Sequence, residues 1–155
     1  FHSHDLEYSN TIEIKELTMK IAVIGASAGV GLEIVKQLIE SGDSVTTLSR
    51  SIGSIPNAPG VTPVQGSALN ETDVRKTIEG ADTVLVALGT GMSTKATGLY
   101  PKAAQALLKA LASLPNKPPV IVLTGFGAGK SRDYHSFFIK FLFNLFLKNH
   151  HIEKL

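Results

Sequence analysis

Short apolar runs alternate along most of this chain with stretches whose apolar residues recur every three or four positions. Residues 20–24 (Lys-Ile-Ala-Val-Ile) form such a run, end at a glycine, and predict a buried strand of a parallel sheet. Leu32, Val35, Leu38 and Ile39 then fall at helical spacing with Glu33, Lys36 and Glu40 between them, which predicts an amphipathic helix. Ser41-Gly42-Asp43 supplies its stop. Ser44–Leu48 predicts a second strand, 51–60 a loop, and Val61–Gln65 a weaker third strand. Asn70 is placed to cap a helix over 71–79, and Asp82–Leu88 is a strong fourth strand. A Gly/Ser/Thr loop over 89–98 leads to Pro101 as a first helical residue. Ala103, Leu107, Ala110, Leu111 and Leu114 mark the buried face of that helix. After a proline-bounded linker, 115–119, come a fifth strand at Val120–Leu123, a glycine-rich loop at 125–129 and a last helix over 133–148. The order β-α-β-β-α-β-α-β-α predicts an α/β fold, a doubly wound parallel sheet with helices on both faces. No repeat of 20–50 residues is evident.

Residues 1–18 break from this pattern. They are polar, mixed in charge and without glycine or proline, whereas Met19-Lys20 runs straight into the first strand. The expectation is that Met19 is the natural start, 1–18 an extension, and 19–155 the domain. Lys15-Glu16 can be encoded AAGGAG, a ribosome-binding sequence just upstream of Met19. The plainer alternative is an ordinary extension that packs as a short strand or helix.

Composition narrows the function. A length of 155 residues predicts one domain, and 43% apolar with 18% charged residues is a globular balance. The net charge is +2 and no basic run exceeds two residues, so no nucleic-acid partner is expected. There is no cysteine, which excludes disulfides, thiolate metal sites and a cysteine nucleophile and fits a cytoplasmic location. No stretch reaches the roughly 18 apolar residues of a membrane span, and no signal peptide is expected. The adjacent His150 and His151 point apart on a helix, and no metal site is predicted.

The candidate chemistry begins at Gly25-Ala26-Ser27-Ala28-Gly29-Val30-Gly31, which follows a strand and opens a helix. A sharp strand-to-helix turn calls for glycine, and the unpaired N–H groups and partial positive charge of a helix start attract a pyrophosphate. A side chain at 29 or 31 would hold the phosphates or the sheet away. The spacing G-x-x-x-G-x-G therefore predicts dinucleotide binding, the alternative being a tight turn rich in glycine. At the end of the second strand, an acidic residue would bond the ribose hydroxyl of NAD. Ser49-Arg50-Ser51 stands there instead, and a guanidinium flanked by hydroxyls suits the 2′-phosphate of NADP. The alternative for Arg50 is a solvated surface side chain.

Four segments, IAVIGASAGVGLEIVKQLIESGDSVTTLSRS, VTPVQGSALNETDV, ADTVLVALGTG and PPVIVLTGFGAGKSRD, together resemble the NAD(P)-binding, atypical short-chain dehydrogenase/reductase family, near the NmrA-like proteins and the flavin and biliverdin-IXβ reductases. The resemblance implies a Rossmann fold with at least five strands in the order 3-2-1-4-5, truncated at the C-terminus relative to the family, and an NADP cofactor. It implies that Gly25, Ser27, Ala28, Gly29 and Val30 wrap the pyrophosphate and that Arg50 takes the 2′-phosphate. It sets Ser67 and Ala68 beside the adenine, and Leu88, Gly89 and Thr90 under the ribose and pyrophosphate. Thr124 and Gly125 would lie near the nicotinamide, with Thr124 the one hydroxyl placed for catalysis.

Three departures bear on activity. The family commonly has Asp where Ser67 stands, and a Ser where Gly125 stands. The Tyr-x-x-x-Lys pair of the main branch is absent, since Tyr134 is followed four residues later by Phe138. Gly125–Ser131 ends in Gly-Lys-Ser, but a P-loop would need glycine at Thr124. The helix 133–148 is apolar apart from Lys140, Asn144 and Lys148, and predicts a core helix or a homodimer contact. The function expected is NADPH-dependent reduction of a flavin, quinone or similar small acceptor, the alternative a non-catalytic NADP-binding redox sensor.

Overall fold

The computed structural model describes residues 18–89 and 98–123. Its elements are β1 (Lys20–Ile24), α1 (Gly29–Glu40), β2 (Ser44–Ser49), β3 (Val61–Gln65), α2 (Glu71–Ile78), β4 (Thr83–Val86), α3 (Leu99–Ala112) and β5 (Val120–Val122). The five strands form one sheet in the order β3-β2-β1-β4-β5, and every neighbouring pair is parallel. This is the Rossmann-type arrangement. The chain goes outward from β1 to β3 and returns to the other side of β1 at β4. Crevices open at such a reversal, beyond the carboxyl ends of the strands.

The alternation within β1 explains both layers. Ala22 and Ile24 face one way and join Leu48, Val64, Val84 and Val86 under α2 and α3, which contribute Val74, Ile78, Ala106, Ala110 and Leu114. Ile21 and Val23 face the other way and join Val45 under Val35 of α1. No helix links β2 to β3. Ile55, in the connecting loop, is buried in the second cluster, and Ile52 packs against it.

Helix ends follow local chemistry. Gly42 adopts φ +79° and the N–H groups of Gly42 and Asp43 return to the carbonyls of Ile39 and Leu38, which is a Schellman stop for α1. Asn70 Oδ1 accepts the N–H groups of Thr72 and Asp73 at 2.9 and 3.2 Å and so caps α2, as expected. The start of α3 differs from expectation. It begins at Leu99, with Gly98 at φ +62° before it, so Pro101 is its third residue. Proline fits there because no N–H of the first turn has an intrahelical partner. The fourth and fifth strands are shorter than expected, at Thr83–Val86 and Val120–Val122. Asp82 lies outside the ladder, and its carboxylate takes the Lys20 N–H at 2.8 Å. Residues 1–17 of the extension expected over 1–18, the loop expected at 125–129 and the helix expected at 133–148 lie outside the described residues.

Thr47 is fully buried beside Val23, and its hydroxyl has no hydrogen-bond partner among the described residues. A buried hydroxyl without a partner forfeits its hydration and gains nothing in exchange. Thr47→Val is expected to stabilise the fold by about 1 kcal/mol. A urea titration checks this as a higher midpoint at unchanged slope.

Candidate dinucleotide-binding site

The turn from β1 into α1 is built around two glycines that admit no side chain. Gly25 has φ +92°, and a Cβ there would lie 2.7 Å from the Ala87 carbonyl oxygen. A Cβ on Gly31 would run into the carbonyl oxygen of Gly25. Gly29 is different: it has φ +54°, and a Cβ would meet nothing within 4 Å. Conformation, and the open space in front of it, are what require glycine there. The start of α1 has no acidic residue in its first turn and no side-chain cap from Ala28. Its leading N–H groups are thus left to an external acceptor, the condition for anion binding at a helix N-terminus.

The loop is tied to the strand ends on both sides. Gly25 N–H donates to the Leu48 carbonyl at 2.9 Å, and Ala26 N–H to Ser49 Oγ at 3.0 Å. Ala87 N–H donates to the Ile24 carbonyl at 2.9 Å. Ser54 Oγ donates to the Ser27 carbonyl from the loop after β2. The glycine turn, the exit of β2 and the exit of β4 therefore form one continuous surface at the reversal point.

Beside it lies a cleft of about 290 Å³, bounded by the ends of β2, β3 and β4 and the start of α3. Of the residues expected at the site, Ser49, Arg50, Ser67, Ala68, Leu88 and Gly89 line it. Gly25 and Ser27 through Gly31 belong to the adjoining turn, and Ser51 is exposed and outside the cleft lining. Thr90, Thr124 and Gly125 lie outside the described residues. Leu69 and Leu99 also form walls, and nothing in their sequence context marked them. In the structure Leu69 is a large apolar residue left 45% exposed directly before the helix cap.

Polar groups in the cleft differ in what they can still bind. Ser49 is buried; its hydroxyl accepts from Ala26 N–H and donates its only proton to the Leu48 carbonyl at 2.8 Å. That hydroxyl braces the glycine turn and has no proton left for a phosphate, unlike the flanking donor expected of it. Arg50 is exposed, its carbonyl accepts from Gln65 Nε2, and among the described residues no carboxylate pairs with its guanidinium. Ser67 is held by Asp73, whose Oδ2 accepts the Ser67 N–H at 2.9 Å. Asp73 also occupies the place a Cβ on Gly66 would need, 2.6 Å from its Oδ2. Asp73 escaped notice in the sequence because an acid in the first turn of a helix is ordinary there.

Residues 25–154 match the family described as NAD(P)H-binding. The chain belongs to the NAD(P)H-binding family. Among solved structures, an oxidoreductase from Lactococcus lactis, ylbE, is 21% identical with a TM-score of 0.67, over 88% of this chain and 59% of that one. ChuY, an anaerobillin reductase from Escherichia coli O157:H7, is 17% identical with a TM-score of 0.63, over 86% of this chain and 64% of that one. A short-chain dehydrogenase/reductase from Veillonella parvula, in complex with NADP, is 21% identical with a TM-score of 0.58, over 70% and 48%. This NAD(P)H-binding chain thus spans between 48% and 64% of the length of these chains. The family match bears out the expected NAD(P)-binding family, and the likeness to these structures bears out the expected Rossmann fold. Among the described residues, no helix is long and apolar enough to cross a membrane and no cluster of side chains is suited to a metal ion.

Proposed function

We propose that this chain holds the adenosine and pyrophosphate of NADP(H) for an NADPH-dependent reductase whose acceptor is a flavin, a quinone or a similar flat molecule. The observation that carries the reading is an uncapped helix start opening off a glycine turn, next to a cleft lined by an arginine that no carboxylate pairs among the described residues. The N–H groups of Gly29, Val30 and Gly31 receive the pyrophosphate, and Arg50 the 2′-phosphate. Ala68 and Leu69 flank the base, and Leu88 and Gly89 pass beneath the ribose. The cofactor, once bound, supplies the hydride; the protein supplies position and electrostatics. Thr124 and Gly125 are assigned to the nicotinamide end as part of the same proposal, and a cytoplasmic location rests on the cysteine-free composition.

A thermal melt with millimolar NADPH, NADH or ATP tests this. A ligand that binds only the folded state raises Tm, by about 6–10 °C when present at a hundred times its Kd. The expected order is NADPH, then NADH, with no shift from ATP. Cooperative melting that no dinucleotide moves would remove the proposal. Binding of NADPH without oxidation in the presence of FMN or a quinone would favour the redox-sensor alternative, which the absent Tyr-x-x-x-Lys pair supports.

A further inference from the structure

Ser54 joins the loop after β2 to the glycine turn, its hydroxyl donating to the Ser27 carbonyl at 2.6 Å. The loop does not depend on this bond. Ile55 N–H closes a turn onto the Ile52 carbonyl at 3.0 Å, Ile55 is buried in the cluster beneath α1, and Ile52 packs against that cluster. Burying an isoleucine side chain outweighs one exposed hydrogen bond, so the loop keeps its place without the Ser54 hydroxyl. The turn is held in its own right through the N–H groups of Gly25 and Ala26. What the hydroxyl fixes is therefore the peptide unit between Ser27 and Ala28.

That peptide is trans. In a planar trans peptide the carbonyl and the N–H point in opposite directions. A carbonyl directed at Ser54 thus turns the Ala28 N–H away from the loop between β2 and β3. This loop lies on the far side of β1 from β4, and the reversal of strand order, where the crevice opens, lies between β1 and β4. Ala28 is the extended residue just before α1, so its N–H stands next in line to the leading N–H groups of the helix. Rotated by half a turn, the same peptide would present its carbonyl there instead. A carbonyl only accepts, and so does a pyrophosphate.

We infer that Ser54 is a positioning residue for the pyrophosphate: it holds the Ser27–Ala28 peptide with its N–H, and not its carbonyl, toward the bound diphosphate. The inference rests on the dinucleotide reading above and adds a residue that acts through the turn and not by contact with the cofactor.

The test titrates wild type, Ser54→Ala and Ser54→Thr, each as the whole chain, with NADPH and NADH at fixed salt. Ser54→Ala is expected to weaken both dinucleotides by the same factor, about fivefold, the scale of one misdirected hydrogen bond. Ser54→Thr keeps the hydroxyl and is expected to bind both within about twofold of wild type. The urea midpoint of Ser54→Ala is expected to match wild type, because Ile52 and Ile55 anchor the loop. In an Arg50→Ala background the Ser54→Ala factor is expected to persist, since the two side chains serve different phosphates. A loss confined to NADPH, or one that vanishes beside Arg50→Ala, would assign Ser54 to the 2′-phosphate and overturn the inference. A lowered urea midpoint accompanying the loss would make Ser54 a structural tie and overturn it as well. Unchanged affinity in Ser54→Ala, or failure of Ser54→Thr to restore it, would overturn the inference and leave the dinucleotide reading standing. Binding of neither dinucleotide by the wild type would overturn both.

Discussion

Gly31→Ala is expected to lose both stability and cofactor. The added methyl would run into the Gly25 carbonyl oxygen and stand 3.3 Å from the Ala87 Cβ. Neither neighbour can yield alone. Gly25 is pinned by its N–H to the Leu48 carbonyl, and its own Cβ position is closed by Ala87. Relief therefore requires the first turn of α1 to lift off the sheet, which uncovers Val35 and the cluster beneath it. Overpacking against backbone costs about 3 kcal/mol. A urea titration measures the loss, and NADPH binding is expected to fall below detection in the same variant. Wild-type stability in Gly31→Ala would show that the turn is looser than described.

Gly29→Ala separates the two effects. Its methyl meets no protein atom, so only the positive φ opposes it, at about 1 kcal/mol. The methyl would stand in the open space before the helix start, where the pyrophosphate is proposed to sit. A small loss of stability with a large loss of NADPH binding distinguishes a ligand site from a merely tight turn.

These residues also show what the sequence made legible. The strands were visible because a parallel sheet covered on both faces needs short, continuous apolar runs, and residues 20–24 and 83–86 are such runs. The glycine turn and Arg50 stood out because each carries chemistry in its residue type. The cleft walls carried no such mark: Leu69 and Leu99 are ordinary apolar residues until the ends of β2, β3 and β4 are brought level. The start of α3 was misplaced by two residues, because proline is tolerated anywhere in a first turn and the turn was set by Gly98. Ser49 has the expected residue type with a different task. Its position under Ala26 follows from the register of β1 and β2, which pairs Ile24 with Leu48 and which no local pattern states.

Arg50→Ala is expected to weaken NADPH about 10- to 100-fold and to leave NADH within about threefold, the scale of a lost charge-assisted hydrogen bond to phosphate. The selectivity is expected because the side chain is exposed and, among the described residues, no carboxylate pairs with it. Its backbone carbonyl, not its guanidinium, is what Gln65 engages, at 3.3 Å. Stability should therefore stay within about 0.5 kcal/mol of wild type, as for other surface substitutions. The electrostatic origin adds a second reading: the advantage of NADPH over NADH should shrink as salt rises in the wild type and be nearly flat in the variant. Arg50→Asp goes further, since a carboxylate repels the 2′-phosphate and accepts the free ribose hydroxyl of NAD, and it should reverse the preference. Parallel titrations of both cofactors at low and high salt decide the matter. Equal losses for NADPH and NADH would mean that Arg50 shapes the cleft rather than reading the phosphate, and would overturn the proposed preference for NADP.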